Sequence, residues 1–100
     1  MSYLRGNMVD FDHKELRDKT LKRINETADD LYPTAEMILG IASGETSCLT
    51  VSIYPDEQTA TDALMDRDKY QAQIDGAEIA VAFEGALKIF HQKSLIKTEN

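Results

Sequence analysis

The sequence predicts an α+β domain in which two helices sit on a four-stranded antiparallel sheet. Apolar residues recur with a period of two over residues 3–11, in two runs within residues 34–54, and again over residues 77–90. Between them lie two stretches of helical period, each opened by an acidic residue suited to capping a helix. The length of 100 residues suits one hydrophobic core.

The first run puts Leu4, Gly6 and Met8 on one side of a strand and Tyr3, Arg5, Asn7, Val9 and Phe11 on the other. Asp12 is the expected N-cap of the first helix. Glu15 would complete a capping box, and Phe11 and Leu16 a hydrophobic staple. Leu16, Leu21, Ile24, Ala28 and Leu31 form the inner stripe, while Lys14, Arg17, Asp18, Lys22, Arg23 and Glu26 form a solvated face. Pro33 stops the helix.

After it, Ala35, Met37, Leu39 and Ile41 alternate with Glu36, Ile38, Gly40 and Ala42. Leu49, Val51 and Ile53 then alternate with Cys48, Thr50, Ser52 and Tyr54. The Ser43-Gly44-Glu45 turn between the two runs makes them a hairpin, with Gly44 free to take positive φ. Pro55-Asp56 opens the second helix, which carries Ala60, Ala63, Leu64 and Arg67 and can run on through Tyr70, Gln71 and Ile74 to Asp75-Gly76. In the last run Ile79, Val81, Phe83, Leu87 and Ile89 oppose Ala80, Ala82, Glu84, Ala86, Lys88 and Phe90, and Glu84-Gly85 invites a bulge. One domain is expected over residues 1–92, with a polar tail over 93–100.

Strand, helix, strand, strand, helix, strand is the ferredoxin-like βαββαβ order, and right-handed crossovers put both helices on one face of the sheet. The strands are apolar on one side and half apolar on the other. A partner over the uncovered face is therefore expected, and a second copy of the chain through a twofold contact is the simplest one.

Eleven basic against eighteen acidic residues give a net charge of −7, which argues against nucleic acid and anionic membranes as partners. No apolar run approaches the roughly 20 residues of a spanning helix. The start of the chain shows no secretory pattern, so a cytoplasmic location is expected. The single cysteine, Cys48, fits a small buried hydrophobe better than a reactive thiol. His13 with Asp10 or Asp12 lacks a third metal ligand at useful spacing, so neither metal nor cofactor is expected.

Among side chains able to do chemistry, Asn7 on the first strand can orient an oxygen atom in a pocket, or face water beside Arg5. Thr50 and Ser52 can line a cavity with hydroxyls, and Tyr32 and Tyr70 can close its mouth. His91 is a possible proton carrier at the end of the last strand.

The stretch from Leu49 to Ala63 (LTVSIYPDEQTATDA), followed by Val81 to Leu87 (VAFEGAL), resembles the antibiotic-biosynthesis-monooxygenase-like (ABM) proteins of the dimeric α+β barrel superfamily. There an apolar strand ends in an aromatic residue, a capped alanine-rich helix follows, and the last strand carries a Glu-Gly step. The resemblance implies a homodimer joined through the open sheet face, forming a dimeric α+β barrel, with a pocket between sheet and helices in each subunit. It further implies a cofactor-free monooxygenase acting on a planar phenol or quinol, or a non-catalytic ligand-binding or accessory dimer. Asn7 would orient the substrate, Tyr70 or His91 would carry protons, and Tyr32, Thr50 and Ser52 would line the pocket. The haem-degrading members use an Asn on the first strand, a Trp and a His. This chain has Asn7 but no Trp, which sets that activity aside.

Overall fold

The computed structural model describes residues 1–72 and 75–98, with the side chains of residues 65–72 left out. Ile74 and the Tyr70 side chain therefore lie outside the described part. The elements are β1 (Tyr3–Phe11), α1 (Lys14–Leu31), β2 (Met37–Ser43), β3 (Ser47–Tyr54), α2 (Glu57–Ala72) and β4 (Ala77–Ala86). All strand pairs are antiparallel, in the order β2-β3-β1-β4, so the fold is ferredoxin-like. Gly44 takes φ 62° in the β2–β3 turn, a conformation an L side chain would resist.

The cap of α1 differs from expectation. His13, not Asp12, is the N-cap: its Nδ1 accepts from the Leu16 amide at 3.1 Å. Asp12 is held outside the helix because its amide donates to the Gly76 carbonyl at 2.8 Å, tying the start of α1 to the turn before β4. Within the last turns Thr27 leaves helical φ/ψ, and its hydroxyl donates to the Arg23 carbonyl at 2.6 Å. Such back-bonding bends helices. In α2 the expected cap is present, with Asp56 Oδ1 accepting from both the amide and the hydroxyl of Thr59 at 2.7 Å. Those two bonds hold the Asp56 carboxyl below its ordinary pKa.

Arg17 also departs from the expected solvated face, being 3% exposed. Its Nη1 donates to the Ser47 carbonyl at 2.8 Å and to the Gly44 carbonyl at 3.3 Å, and its Nε to Asp18 at 2.8 Å. The helix thus pins the hairpin turn by supplying donors to carbonyls that the turn cannot satisfy itself. Arg17, Thr20 and Ile24 are the buried residues of α1, so the stripe it turns toward the sheet is largely polar.

The sheet answers in kind. Asn7, Val9 and Phe11 of β1 are buried, as are Cys48, Thr50, Ser52 and Tyr54 of β3. These residues share the helix-covered side, where Asn7 pairs with Thr50, Arg5 with Ser52, and Val9 with Cys48. The opposite side carries Met37, Leu39 and Ile41 of β2, Leu49 and Val51 of β3, Leu4 and Met8 of β1, and Val81 and Phe83 of β4. The uncovered face is thus the more apolar one, polar only at the end where Asp10, Ser43, Ser47 and Glu78 stand, and the half-polar face lies under the helices. Leu39 is 44% exposed, Ile41 54% and Val81 52%. Phe83 lies across Gly6, where a Cβ would run into its ring.

The irregularity in β4 falls at another place than Glu84-Gly85. Met8 pairs with Val81 but Val9 with Ile79, so the extra residue is Ala80. The bulge moves Ile79 off the Val81 and Phe83 side, onto which strict alternation would have put it. The strand ends at Ala86 rather than continuing to Phe90, although the Leu87 amide still donates to the Ser2 carbonyl at 2.9 Å.

Replacing Arg17 by methionine keeps much of the bulk but leaves the turn carbonyls without their donor. The expected loss is about 2–4 kcal/mol in urea denaturation. A loss within about 0.5 kcal/mol would show that Arg17 does not hold the hairpin.

Candidate functional site

Two apolar clusters lie between sheet and helices. Val9, Phe11 and Cys48 pack with Leu16, Leu21 and Ala77, and Ile24 and Tyr32 pack with Leu31, Ala35 and Ile38. Beside them run the polar rows, Asn7–Thr50 and Arg5–Ser52, the latter extended by Ile38 on one edge and Glu84 on the other. A narrow cleft runs there, lined by Asn7, Tyr32, Ile38, Thr50, Val51 and Ser52 and closed too tightly to hold a water molecule. Asn7 and Ser52 are 3% and 4% exposed. Interior polar groups are expensive, so three amide and hydroxyl side chains side by side under a helix mark a place built for polar contact.

The structure gathers four of the six candidate residues around this cleft: Asn7, Tyr32, Thr50 and Ser52. Tyr32 reaches it as the C-cap of α1, where its amide donates to the Ala28 carbonyl at 2.8 Å. His91 is exposed in the segment after β4 and does not line the cleft. The Tyr70 side chain lies outside the described part. Among the described residues no group of three or more His, Cys, Asp or Glu side chains is arranged to hold a metal ion, and no helix is long and apolar enough to cross a membrane.

Arg5 is the neighbour that sequence reasoning passed over. Its side chain is 11% exposed, and Nη1 lies 2.7 Å from Glu84 Oε2. Partial burial and then a hydrogen bond to Glu84 push the Tyr3 phenol above its ordinary pKa, so this phenol stays protonated beside the carboxylate. Arg5 and Asn7 sharing a strand side suggested a wet face. The facing run Cys48-x-Thr50-x-Ser52-x-Tyr54, small residues closed by a ring, was the signal that the side is covered.

No protein-family model matches the chain, and no curated protein is similar to it in sequence. Solved structures are similar in shape. A dimeric ferredoxin-like protein from an uncultured marine organism superposes with a TM-score of 0.70 at 14% identity, over 92% of this chain and 100% of that one. A protein assigned as an antibiotic biosynthesis monooxygenase from Chloroflexus aurantiacus J-10-fl gives 0.68 at 11% identity, over 92% and 98%. The fold is ABM-like. The monooxygenase of ActVA-Orf6 from Streptomyces coelicolor, solved in complex with nanaomycin D, superposes with a TM-score of 0.61 at 12% identity over 93% of each chain. At these identities the ABM-like architecture is what is shared, and activity must be argued from the cleft.

At the Val9 end of the same face, burial pushes the Cys48 thiol up to about 11, against the opposing pull of the Arg17 charge. The thiolate population at pH 8 is then about 100-fold below that of an ordinary cysteine. In the unfolded chain the thiol ionises near pH 9, so stability falls as the pH rises from there to about 11. Iodoacetamide should label the folded protein at pH 8 at least 100-fold more slowly than the urea-unfolded chain. Equal rates would contradict this burial.

Proposed function

We propose that the chain is a cytoplasmic homodimer, joined through its open sheet face, whose cleft binds a small planar phenol or quinol and supports cofactor-free monooxygenation of it. The observation that carries this reading is the distribution of polarity across the sheet. Amide and hydroxyl side chains lie beneath the helices, and methyl groups and a phenyl ring lie in the open. A monomer would gain by the reverse arrangement. A dimer that buries the open face, and a ligand that uses the polar interior, account for both sides together. Covering the exposed half of Leu39, Ile41, Val81 or Phe83 contributes about 1 kcal/mol each. The dimeric character of the ferredoxin-like neighbour supports the same reading.

The cleft bounds the ligand. As it stands it has no room for a water molecule, so even a single ring would have to displace the side chains that line it. In this reading Asn7 holds a ring oxygen, Thr50 and Ser52 bond further oxygens, and Tyr32 covers the ring. In the catalytic reading the bound phenol gives up its proton to water, its anion reduces dioxygen, and one oxygen atom enters the ring as a carbonyl while the other leaves as water. A second reading, non-catalytic binding of the same ligands, is favoured by the lining itself. Among its described side chains the phenol of Tyr32 is the one titratable group, and no carboxylate, imidazole or amine stands ready to take the proton.

Introducing a charge into the open face, as in Val81→Asp, should convert a sedimenting dimer into a monomer at micromolar concentration without loss of helical circular dichroism. A wild-type monomer, or an unaffected dimer, contradicts the assembly. With single-ring phenols and quinols, oxygen uptake should be measurable and should drop at least tenfold in Asn7→Ala. Ligand-induced NMR shifts at Thr50 and Ser52 without uptake would favour the non-catalytic reading, and neither signal would reject both.

A further inference from the structure

We infer that the segment following β4, residues 87–97, is an arm that each copy lays on the acidic end of the other copy's open sheet face. This inference rests on the homodimer proposed above and gives that dimer an orientation.

The segment carries side chains suited to a contact that its own subunit does not provide. β4 ends at Ala86, beside Tyr3, and the Leu87 amide donates to the Ser2 carbonyl at 2.9 Å. From Lys88 onward every described residue is exposed, among them Ile89 at 84%, Phe90 at 59%, Leu95 at 91% and Ile96 at 73%. The Gln92 side chain bonds inside the segment, to the Ser94 carbonyl at 3.0 Å. A single exposed apolar residue is ordinary on a surface, but this concentration in one short segment marks a contact.

Charge names the surface that the arm fits. Residues 87–97 hold Lys88, Lys93 and Lys97 and no acidic residue, in a chain of eighteen acidic against eleven basic residues. On the open face the row that ends in Asp10 and Glu78 runs beside the apolar row of Ile41, Leu49, Met8 and Val81. Asp10 and Glu78 stand directly opposite each other on β1 and β4, and like charges in that position destabilise a sheet. Among the described residues no ion pair involves Glu78 or the three lysines. An arm that mixes apolar side chains with lysines complements a rim where methyl groups border carboxylates.

The direction of the chain says which copy supplies that rim. β4 runs from Ala77, paired with Phe11, to Ala86, paired with Tyr3. The arm therefore leaves at the Tyr3 end, and the acidic row of its own sheet lies at the opposite end. Across a twofold face-to-face contact with strands running in opposite directions, each arm leaves beside the acidic row of the other copy. With strands running the same way the two acidic rows would meet, which like charges disfavour.

The test is carbodiimide cross-linking, which joins a lysine to a carboxylate in contact with it, on an equilibrated mixture of isotope-labelled and unlabelled full chain. Mixed-isotope peptides joining Lys88 or Lys93 to Asp10 or Glu78 are expected. Lys88→Glu with Lys93→Glu should raise the dimer dissociation constant at least tenfold at low salt. The equal charge change Lys19→Glu with Lys22→Glu, at exposed positions of α1, should alter it less than threefold. If these cross-links are absent or confined to one isotope, or the arm variant has no more effect than the α1 variant, the inference is overturned and the homodimer stands. A wild-type monomer overturns both.

Discussion

The structure depends on a mismatch between the two faces of one sheet. Strand geometry sends alternate side chains to opposite sides, so every strand must commit one set to the helices and the other set outward. Here the outward set includes Leu39, Ile41, Leu49, Val51, Met8, Val81 and Phe83, with Asp10, Ser47 and Glu78 at one end, and the inward set includes Asn7, Arg5, Thr50 and Ser52. The stripe on α1 matches the inward set, since Arg17 and Thr20 stand with Ile24. Helix and sheet therefore meet through a mixed interface, and the strongest hydrophobic surface of the chain is left for something else to cover. Register cannot slip to relieve this, because a one-residue shift would exchange the faces on every paired strand.

Two arginines, one buried and one half-buried, show how the same residue type can serve architecture in different ways. Arg17 satisfies a turn whose carbonyls point inward and so joins α1 to the β2–β3 hairpin. Arg5 sits among the polar rows with a carboxylate partner on the edge strand and a donor to spare. Packing alone explains the first.

Much of the fold was legible because periodicity reports element type directly. The change from period two to helical period at residues 12–14, the Gly44 turn and the Asp56 cap each follow from local chemistry that tertiary structure did not override. What failed needed a long-range contact. Asp12 lost the cap to His13 because its amide is engaged by Gly76, 64 positions away, and Arg17 looked solvated because its acceptors lie in a distant turn. The Ala80 bulge is likewise set by pairing with β1 and leaves no sign in the stretch Ala77-Glu78-Ile79-Ala80-Val81-Ala82. Which face the helices would choose was also unreadable, because alternation fixes that two faces exist and not which one is covered. Of the candidate residues, those on β1 and β3 converge because cross-strand register brings them together. His91 does not, because β4 ends at Ala86 and the chain leaves the sheet before reaching it.

The central claim is that the methyl-rich face of the sheet meets its own copy while the amide- and hydroxyl-bearing face is closed by its own helices. An isotope-filtered NOE spectrum of a mixed sample, half labelled and half unlabelled, addresses it directly. The account predicts intermolecular cross-peaks from the side chains of Leu39, Ile41 and Val81, and none from Val9 or Thr50. Absence of intermolecular cross-peaks, or their appearance from Val9 and Thr50, would contradict it.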